Sequence, residues 1–293
     1  MCFSFDIEDW FQVENLRSKF PTETWSTQEL RVKENTERIL ELLDKHSIKA
    51  TFFILGNIAE RVPELVKQIH RSGHEVASHG YGHILNYKLS KEELYNDLKI
   101  SKEILEEITD EEVIGYRAPS FSINDDLLYI LKDLCYKYDS SLNPFALHDR
   151  YGDIETDKKL SEVFLHESGI TEFPMPLVKV YGIRIPISGG GYFRIFPLGL
   201  FKKLVRKYFS NHDICVFYMH PWEIDSEQPR VNGIKLNYKF RHYYGLDKTY
   251  EKFDDFIKFC KDSGYKVKTI KSVLNSNEIY RRKSMTIIKK NPY

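Results

Sequence analysis

The chain has 293 residues, of which 42% are hydrophobic, and its 43 basic and 43 acidic side chains cancel. That balance gives no support for partners held through bulk charge, so no nucleic acid is expected, and no run of eighteen apolar residues is present to form a transmembrane segment. The length suits one α/β barrel of about 250 residues with a short remainder.

The chain opens with "MCFSFDIEDWF", which has acids within its first ten residues and no basic leader, so no secretory signal is predicted. Cys2, Cys135, Cys215 and Cys260 form no CxxC pair and read as reduced thiols, which agrees with an expected cytoplasmic location. In chain order, short runs rich in aromatic and β-branched residues predict strands at "CFSFDI", "ATFFIL", "HEVAS", "VIGYRAP", "DICVFYMH" and "YKVKTI". Between them, helical periodicity covers Asn35 to His46, Ile58 to Ser72, Lys91 to Ile108, Asp125 to Tyr136, Leu198 to Tyr208 and Tyr250 to Ser263. Such alternation predicts a parallel sheet covered by helices, closed or nearly closed into a barrel. Residues 140–195 break the rhythm with Pro144, Pro174, Pro176, Pro186 and three consecutive glycines, and are expected to form a loop-rich insertion over one end. Residues 276–293 are expected to be a basic, solvated tail.

The polar residues fall at the ends of predicted strands. "CFSF" runs into Asp6, Glu8 and Asp9, "EVAS" into His79 and His83, "VIGY" into Arg117, and "ICVFYM" into His220. In parallel α/β barrels that rim carries the reacting groups. The two histidines belong to "SHGYGH", where the glycines disfavour a helix, so a bend must bring the imidazoles together. Taken singly, each residue has an ordinary structural explanation such as a helix cap, a turn or a packed side chain, but coincidence at four strand ends does not. Two imidazoles and one carboxylate form a usual ligand set for a catalytic divalent metal, with zinc favoured. A second carboxylate can take a proton from water there, and a histidine across the site can return one to a leaving group, which is the chemistry of amide or ester hydrolysis.

In order along the chain, "SFDIEDW", "HGYGH", "YRAPSFS", "YDSS" and "YMHP" resemble the five motifs of the polysaccharide deacetylases with the NodB homology domain, carbohydrate esterase family 4. "SGGGYFRIFP", "HPWEID", "QPR" and "FRHYYGLDKT" resemble the subgroup with a C-terminal extension associated with bacterial exopolysaccharide assembly. The resemblance implies a distorted (β/α)7–8 barrel over residues 1–275, with about 221–275 as the extension. It also implies that Asp6 is the catalytic base, that His79 and His83 are metal ligands, and that Arg117 orients the base. His220 would be the general acid, with Asp139 as the fourth-motif acid that holds and tunes it. Pro119, Tyr192, Met219 and Trp222 would line the substrate site, Met219 and Trp222 around a small acetyl pocket. Read from their own chemistry, Gly189, Gly190, Gly191, Tyr192 and Arg194 form either a flexible, donor-rich loop suited to a sugar ring or its phosphate or only a tight turn, and Arg241, His242 and Tyr243 are expected at the same rim. The family's adjacent acids are here split by "DIED". Alternation along an extended segment makes Glu8 the third ligand, whereas a wider loop would make it Asp9.

The expected function is therefore metal-dependent removal of N-acetyl groups from a glycan or lipid-linked oligosaccharide, hydrolysis of a carbon–nitrogen bond that is not a peptide bond, with peripheral membrane proximity through a lipid-linked substrate. Hydrolysis of a small non-glycan amide and glycan binding without turnover are the alternatives. The oligomeric state is not legible.

Overall fold

A computed structural model describes residues 1–145, 151–154 and 162–276, together with the backbone of Ile287–Ile288. Most of the expected tail therefore lies outside the described residues. The strands are β1 (Cys2–Ile7), β2 (Thr51–Ile54), β3 (Glu75–Ser78), β4 (Gly115–Tyr116), β5 (Tyr138–Asp139), β6 (Phe164–His166), β7 (Thr171–Glu172), β8 (Leu177–Val180), β9 (Ile183–Pro186), β10 (Val216–Met219) and β11 (Ile287–Ile288). The helices are α1 (Val32–Lys45), α2 (Gly56–Arg61), α3 (Pro63–Arg71), α4 (Lys91–Thr109), α5 (Asp125–Asp133), α6 (Gly190–Ile195), α7 (Leu198–Phe209), α8 (Leu236–Tyr243), α9 (Leu246–Asp262) and α10 (Ile270–Leu274).

The main sheet runs β10-β1-β2-β3-β4-β5-β7-β6-β11 and is parallel except where β6 meets β7. β8 and β9 form a separate antiparallel hairpin. Beyond β10, single hydrogen bonds replace the ladder: Tyr218 N–H donates to Ser188 O at 2.6 Å, Ile187 N–H to Pro176 O at 3.2 Å and Met175 N–H to Leu142 O at 2.8 Å. This is a distorted α/β half-barrel, its irregular side built by the described residues between 140 and 195. Between Ser140 and Ile195 the chain adds β6 and β7 to the main sheet itself, followed by the hairpin and α6.

Side-chain alternation divides the core. Phe3, Phe5, Phe52, Phe217 and Met219 pack outward against Phe253 and Phe256 of α9 and its neighbours, while Cys2, Phe53, Ala77, Tyr138, Phe173 and Tyr218 fill the interior. Asp6 follows the interior set because it lies an even number of residues from Cys2.

Two elements differ from the sequence reading. The helix expected over Ile58–Ser72 is broken at Val62 (φ −137°, ψ 59°), because the ring of Pro63 excludes its predecessor from helical geometry. "YKVKTI" is not a strand. It is joined to the start of β1 by the Met1 amine donating to Lys266 O (2.9 Å) and Lys268 N–H donating to Met1 O (3.1 Å), after which Thr269 caps α10. Cys2, Cys215 and Cys260 are buried and Cys135 is exposed, none of them in a disulfide.

His74 yields a stability prediction away from the site. Its Nδ1 accepts the Ala50 N–H at 3.2 Å, and burial, reinforced by nearby Lys49, lowers its pKa to about 4. The unfolded chain then binds more protons than the folded chain between about pH 6.5 and pH 4, so this contribution is present above that window and lost as pH falls through it. We expect unfolding stability to drop by about 2–3 kcal/mol from this group between pH 7 and 4. Urea titrations of wild type and His74→Gln check it: the variant should lose that part of the slope, and parallel slopes would assign the acid sensitivity elsewhere.

Candidate active site

β1 ends at Ile7, and Glu8 N–H turns back to Asp6 O (3.1 Å), so Asp6 and Glu8 both point into the mouth of the half-barrel. Asp9 points away. Its Oδ1 accepts Trp10 N–H at 2.8 Å, and its Oδ2 accepts the N–H groups of Arg31 (2.8 Å) and Val32 (2.9 Å) at the start of α1. Asp9 thus caps the start of α1, and its carboxylate lies outside the cluster of Glu8, His79 and His83.

The bend after β3 is built by Asp97 of α4, which accepts Tyr81 N–H (2.8 Å) and Gly82 N–H (3.0 Å). Gly80 sits at φ 74°, where a Cβ would lie 2.7 Å from Asp97 Oδ2, so only glycine fits. His83 itself takes φ 49°, an uncommon conformation for a residue with a side chain, and this returns its ring to within 5.4 Å of His79, centroid to centroid. One donor atom from each of Glu8, His79 and His83 lies within 4.8 Å of the other two.

These residues suit a divalent cation. His79 Nδ1 donates to Arg117 O at 2.7 Å, which leaves its Nε2 lone pair free. Trp222 Nε1–H donates to Glu8 Oε1 at 3.1 Å, whereas buried Oε2 accepts no well-directed hydrogen bond although it lies 2.7 Å from His83 Nε2. Burial opposes the charge on Glu8, but the imidazoles of His83, His220 and His79 outweigh it and hold the carboxyl below its usual range. Burial also lowers His79 to about 4 against Asp6 and Glu8, so at neutral pH its ring is uncharged, as a ligand must be.

Beside this group lie two further pairs. Arg117, fully buried, donates from Nη1 to Asp6 Oδ1 (2.6 Å) and Ser4 Oγ (2.9 Å), and is held by Ser140 O and Ser140 Oγ at 3.0 Å each. His220 directs Nδ1 to Glu223 Oε1 (2.8 Å) and Nε2 into the site, 3.8 Å from Asp6 Oδ2 and 3.5 Å from Glu8 Oε1. Burial works against protonation of His220, yet Glu8, Glu223 and Asp6 together raise its pKa to about 9. Glu223 is held in turn by Arg194 Nε at 2.7 Å.

The polysaccharide deacetylase family model matches residues 23–138. This segment belongs to that family. A domain of unknown function, DUF3473, matches residues 140–273, which takes in both the expected insertion at 140–195 and the expected extension at about 221–275. The chain is 34% identical over 102 residues to a peptidoglycan-N-acetylglucosamine deacetylase of Bacillus cereus, a match covering 35% of this chain and 47% of the relative. A Helicobacter pylori peptidoglycan deacetylase is 32% identical over 105 residues, 36% of each protein. The chain therefore matches half or less of the length of these curated relatives. Among solved structures, a Mycobacterium smegmatis protein provisionally described as a polysaccharide deacetylase superposes with a TM-score of 0.63 at 18% identity, covering 99% of this chain and 93% of that one. A carbohydrate esterase family 4 pseudoenzyme from Bacillus anthracis gives 0.54 at 19% identity, over 94% and 64% of the two chains. Both share the fold.

The site opens into a cavity of about 480 Å3, whose walls include Asp6, Glu8, His79, His83, Tyr192, Tyr218, His220 and Trp222. Tyr192 and Trp222 thus lie where the sequence reading puts substrate contacts, but five other assignments change. Asp139 does not hold His220: it accepts from Ser141 Oγ (2.6 Å) and shares a buried acid pair with Glu172, while Glu223 occupies the place on the histidine. Met219 does not line the cavity. It faces the outer core, and Tyr218, on the opposite face of β10, forms the wall. Pro119 is buried behind Ala118, Ser120 and Phe121, which form the wall instead. Arg194 is not a free sugar-binding donor, because its guanidinium is spent on Glu223 and on the carbonyls of Arg241, His242 and Tyr244. The glycine triplet does not form a flexible loop either: a Cβ on Gly189 would sit 2.0 Å from Tyr218 O, and α6 begins at Gly190. Arg241 reaches the cavity rim, while His242 stacks on Trp222 at 4.6 Å and Tyr243 OH donates to Pro229 O.

Glu223, Asp97 and Arg17 are the site residues that the sequence reading missed. The signal for Glu223 was its place three residues after His220, the spacing at which a carboxylate returns to cap its own turn.

Proposed function

We propose that this chain is a metal-dependent deacetylase that hydrolyses the acetamide of N-acetyl sugars in a polysaccharide or lipid-linked glycan precursor. The observation that carries this is the convergence of Glu8, His79 and His83 within 4.8 Å beside the Asp6–Arg117 and His220–Glu223 pairs. A divalent ion, for which two imidazoles and a carboxylate favour zinc, would be held by Glu8, His79 and His83 and would supply Lewis acidity towards the acetamide oxygen and a more acidic water.

The chain's own residues do the rest. Asp6, oriented through Oδ1 by Arg117, presents Oδ2 to the cavity and takes the proton of the attacking water. Glu223 fixes the Nδ1–H of His220, so that Nε2–H is the group facing the substrate and passes its proton to the departing nitrogen. The C–N bond breaks, leaving acetate and an amino sugar. Tyr192, Tyr218 and Trp222 give the cavity aromatic walls of the kind on which sugar faces pack, and its volume of about 480 Å3 takes a short stretch of glycan. A precursor carried on lipid at the cytoplasmic face of a membrane suits the location expected from the sequence, and among the described residues no helix is long and apolar enough to cross a membrane.

The test is acetate release from N-acetylglucosamine oligomers and from a lipid-linked acetamido sugar by protein purified without a histidine tag. Release matched by new free amine, abolished by a chelator and restored by zinc, is the expected result. Turnover of a small cyclic amide that survives the chelator would instead establish the amidase alternative, and glycan binding without any acetate would establish the non-catalytic one.

A further inference from the structure

The two histidines of the site differ in what sits behind them. A metal-bound imidazole ordinarily gives its outer N–H to a carbonyl, a carboxylate or water, which fixes the tautomer that binds. His79 does this through Arg117 O at 2.7 Å. The outer nitrogen of His83, Nδ1, instead meets Arg17 Nη2 at 3.3 Å, and the same Nη2 donates to His83 O at 2.6 Å. A guanidinium has five N–H donors and no acceptor. Nδ1 must therefore accept, and the ring hydrogen sits on Nε2, the atom 2.7 Å from Glu8 Oε2. His83 is thus held in the tautomer whose inward nitrogen has no lone pair to offer.

Arg17 is anchored there. Its guanidinium lies 4.7 Å over the Trp25 ring, Nη1 donates to Thr22 Oγ1 at 3.4 Å and Nε faces Glu14 Oε2 at 3.5 Å. Trp25 is fully buried, so this packing is part of the fold of the segment and not a surface accident.

We propose that Arg17 is a positioning residue that opposes metal loading. On the metal-site reading above, on which this rests, His83 can offer Nε2 to a cation only when its hydrogen moves to Nδ1, and Arg17 must then withdraw from that nitrogen. The free energy of breaking the Arg17 contact is subtracted from metal affinity. By the same linkage, a loaded site loosens Arg17 from its place between His83 and the segment of Glu14 and Trp25, and Glu14 lies on the cavity rim.

Two variants test this in the full chain. Arg17→Met keeps an apolar stem over Trp25 and removes the donors; Arg17→Gln adds an amide oxygen able to accept from Nδ1–H. In calorimetric titrations of metal-free protein with zinc, both should bind about 10-fold more tightly than wild type. Nitrogen NMR of the metal-free proteins should show His83 with hydrogen on Nε2 in wild type and shifted towards Nδ1 in Arg17→Gln. A role limited to holding the loop would weaken zinc binding on mutation, the opposite direction. If wild type binds zinc and both folded variants bind it equally or more weakly, the proposal is overturned while the metal site stands. If neither wild type nor the variants bind zinc, the metal reading itself falls, and this proposal with it.

Discussion

Asparagine at position 6 is expected to lower kcat/KM for acetate release by about 10^3-fold while the protein still binds its metal. The substitution keeps an oxygen for Arg117 Nη1 but removes the carboxylate that faces the cavity with His220 Nε2 3.8 Å from its second oxygen. It also leaves buried Arg117 without its counter-charge, held by Ser4 Oγ, Ser140 O and Ser140 Oγ. A stability loss of about 3 kcal/mol, the low end for a broken buried ion pair because the amide oxygen still accepts from Arg117, should accompany the change, short of unfolding. Assaying metal content, melting temperature and kinetics on one preparation separates the base from the fold. An Asp6→Asn protein that retains its metal and loses less than about 10-fold in kcat/KM would remove Asp6 from the role of base.

The neighbouring acids should separate in opposite ways. Alanine at Glu8 removes the carboxylate that lies with His79 and His83 inside 4.8 Å, so zinc binding and acetate release should disappear together. Alanine at Asp9 should leave zinc content unchanged. It strands the N–H groups of Trp10, Arg31 and Val32, all bonded at 2.8–2.9 Å in the folded chain. Unsatisfied buried donors cost about 1–3 kcal/mol each, and with partial access to water a total near 3 kcal/mol is expected, a fall of roughly 6–9 °C in Tm. Elemental analysis and a thermal scan of the two proteins check both halves. Loss of metal in Asp9→Ala with stability intact would return the third ligand to Asp9.

These two acids show how far sequence reasoning reaches at the site. The inward orientation of Glu8 was legible because strand alternation continues past the end of β1, and alternation is a property of the local backbone. Asp139 was misplaced because its position after a strand says nothing about which of two nearby acids the fold brings to His220. Glu223, three residues downstream on the same turn, arrives first, and Asp139 turns to Ser141 and Glu172. Met219 and Tyr218 were exchanged by a one-residue error of register, which in a strand moves a side chain to the opposite face. Tyr218 looks into the cavity, and Met219 packs among Phe217 and the helices.

What the sequence determined by itself was periodic and local: alternating strands and helices, hence a parallel sheet, and polar groups at the strand ends that such a sheet gathers on one rim. The five motifs, met in order, carried the family as well. Only the tertiary structure decided which groups face one another across the rim. His83 returns to His79 because Asp97, on a helix that starts eight residues later, grips the intervening N–H groups and leaves room for no side chain at Gly80. The guanidinium behind His83 comes from Arg17, 66 residues away in sequence, and Arg194 reaches Glu223 from 29 residues away. Contacts of that kind have no period and no fixed spacing. They exist only once the core of phenylalanines has fixed where each loop begins.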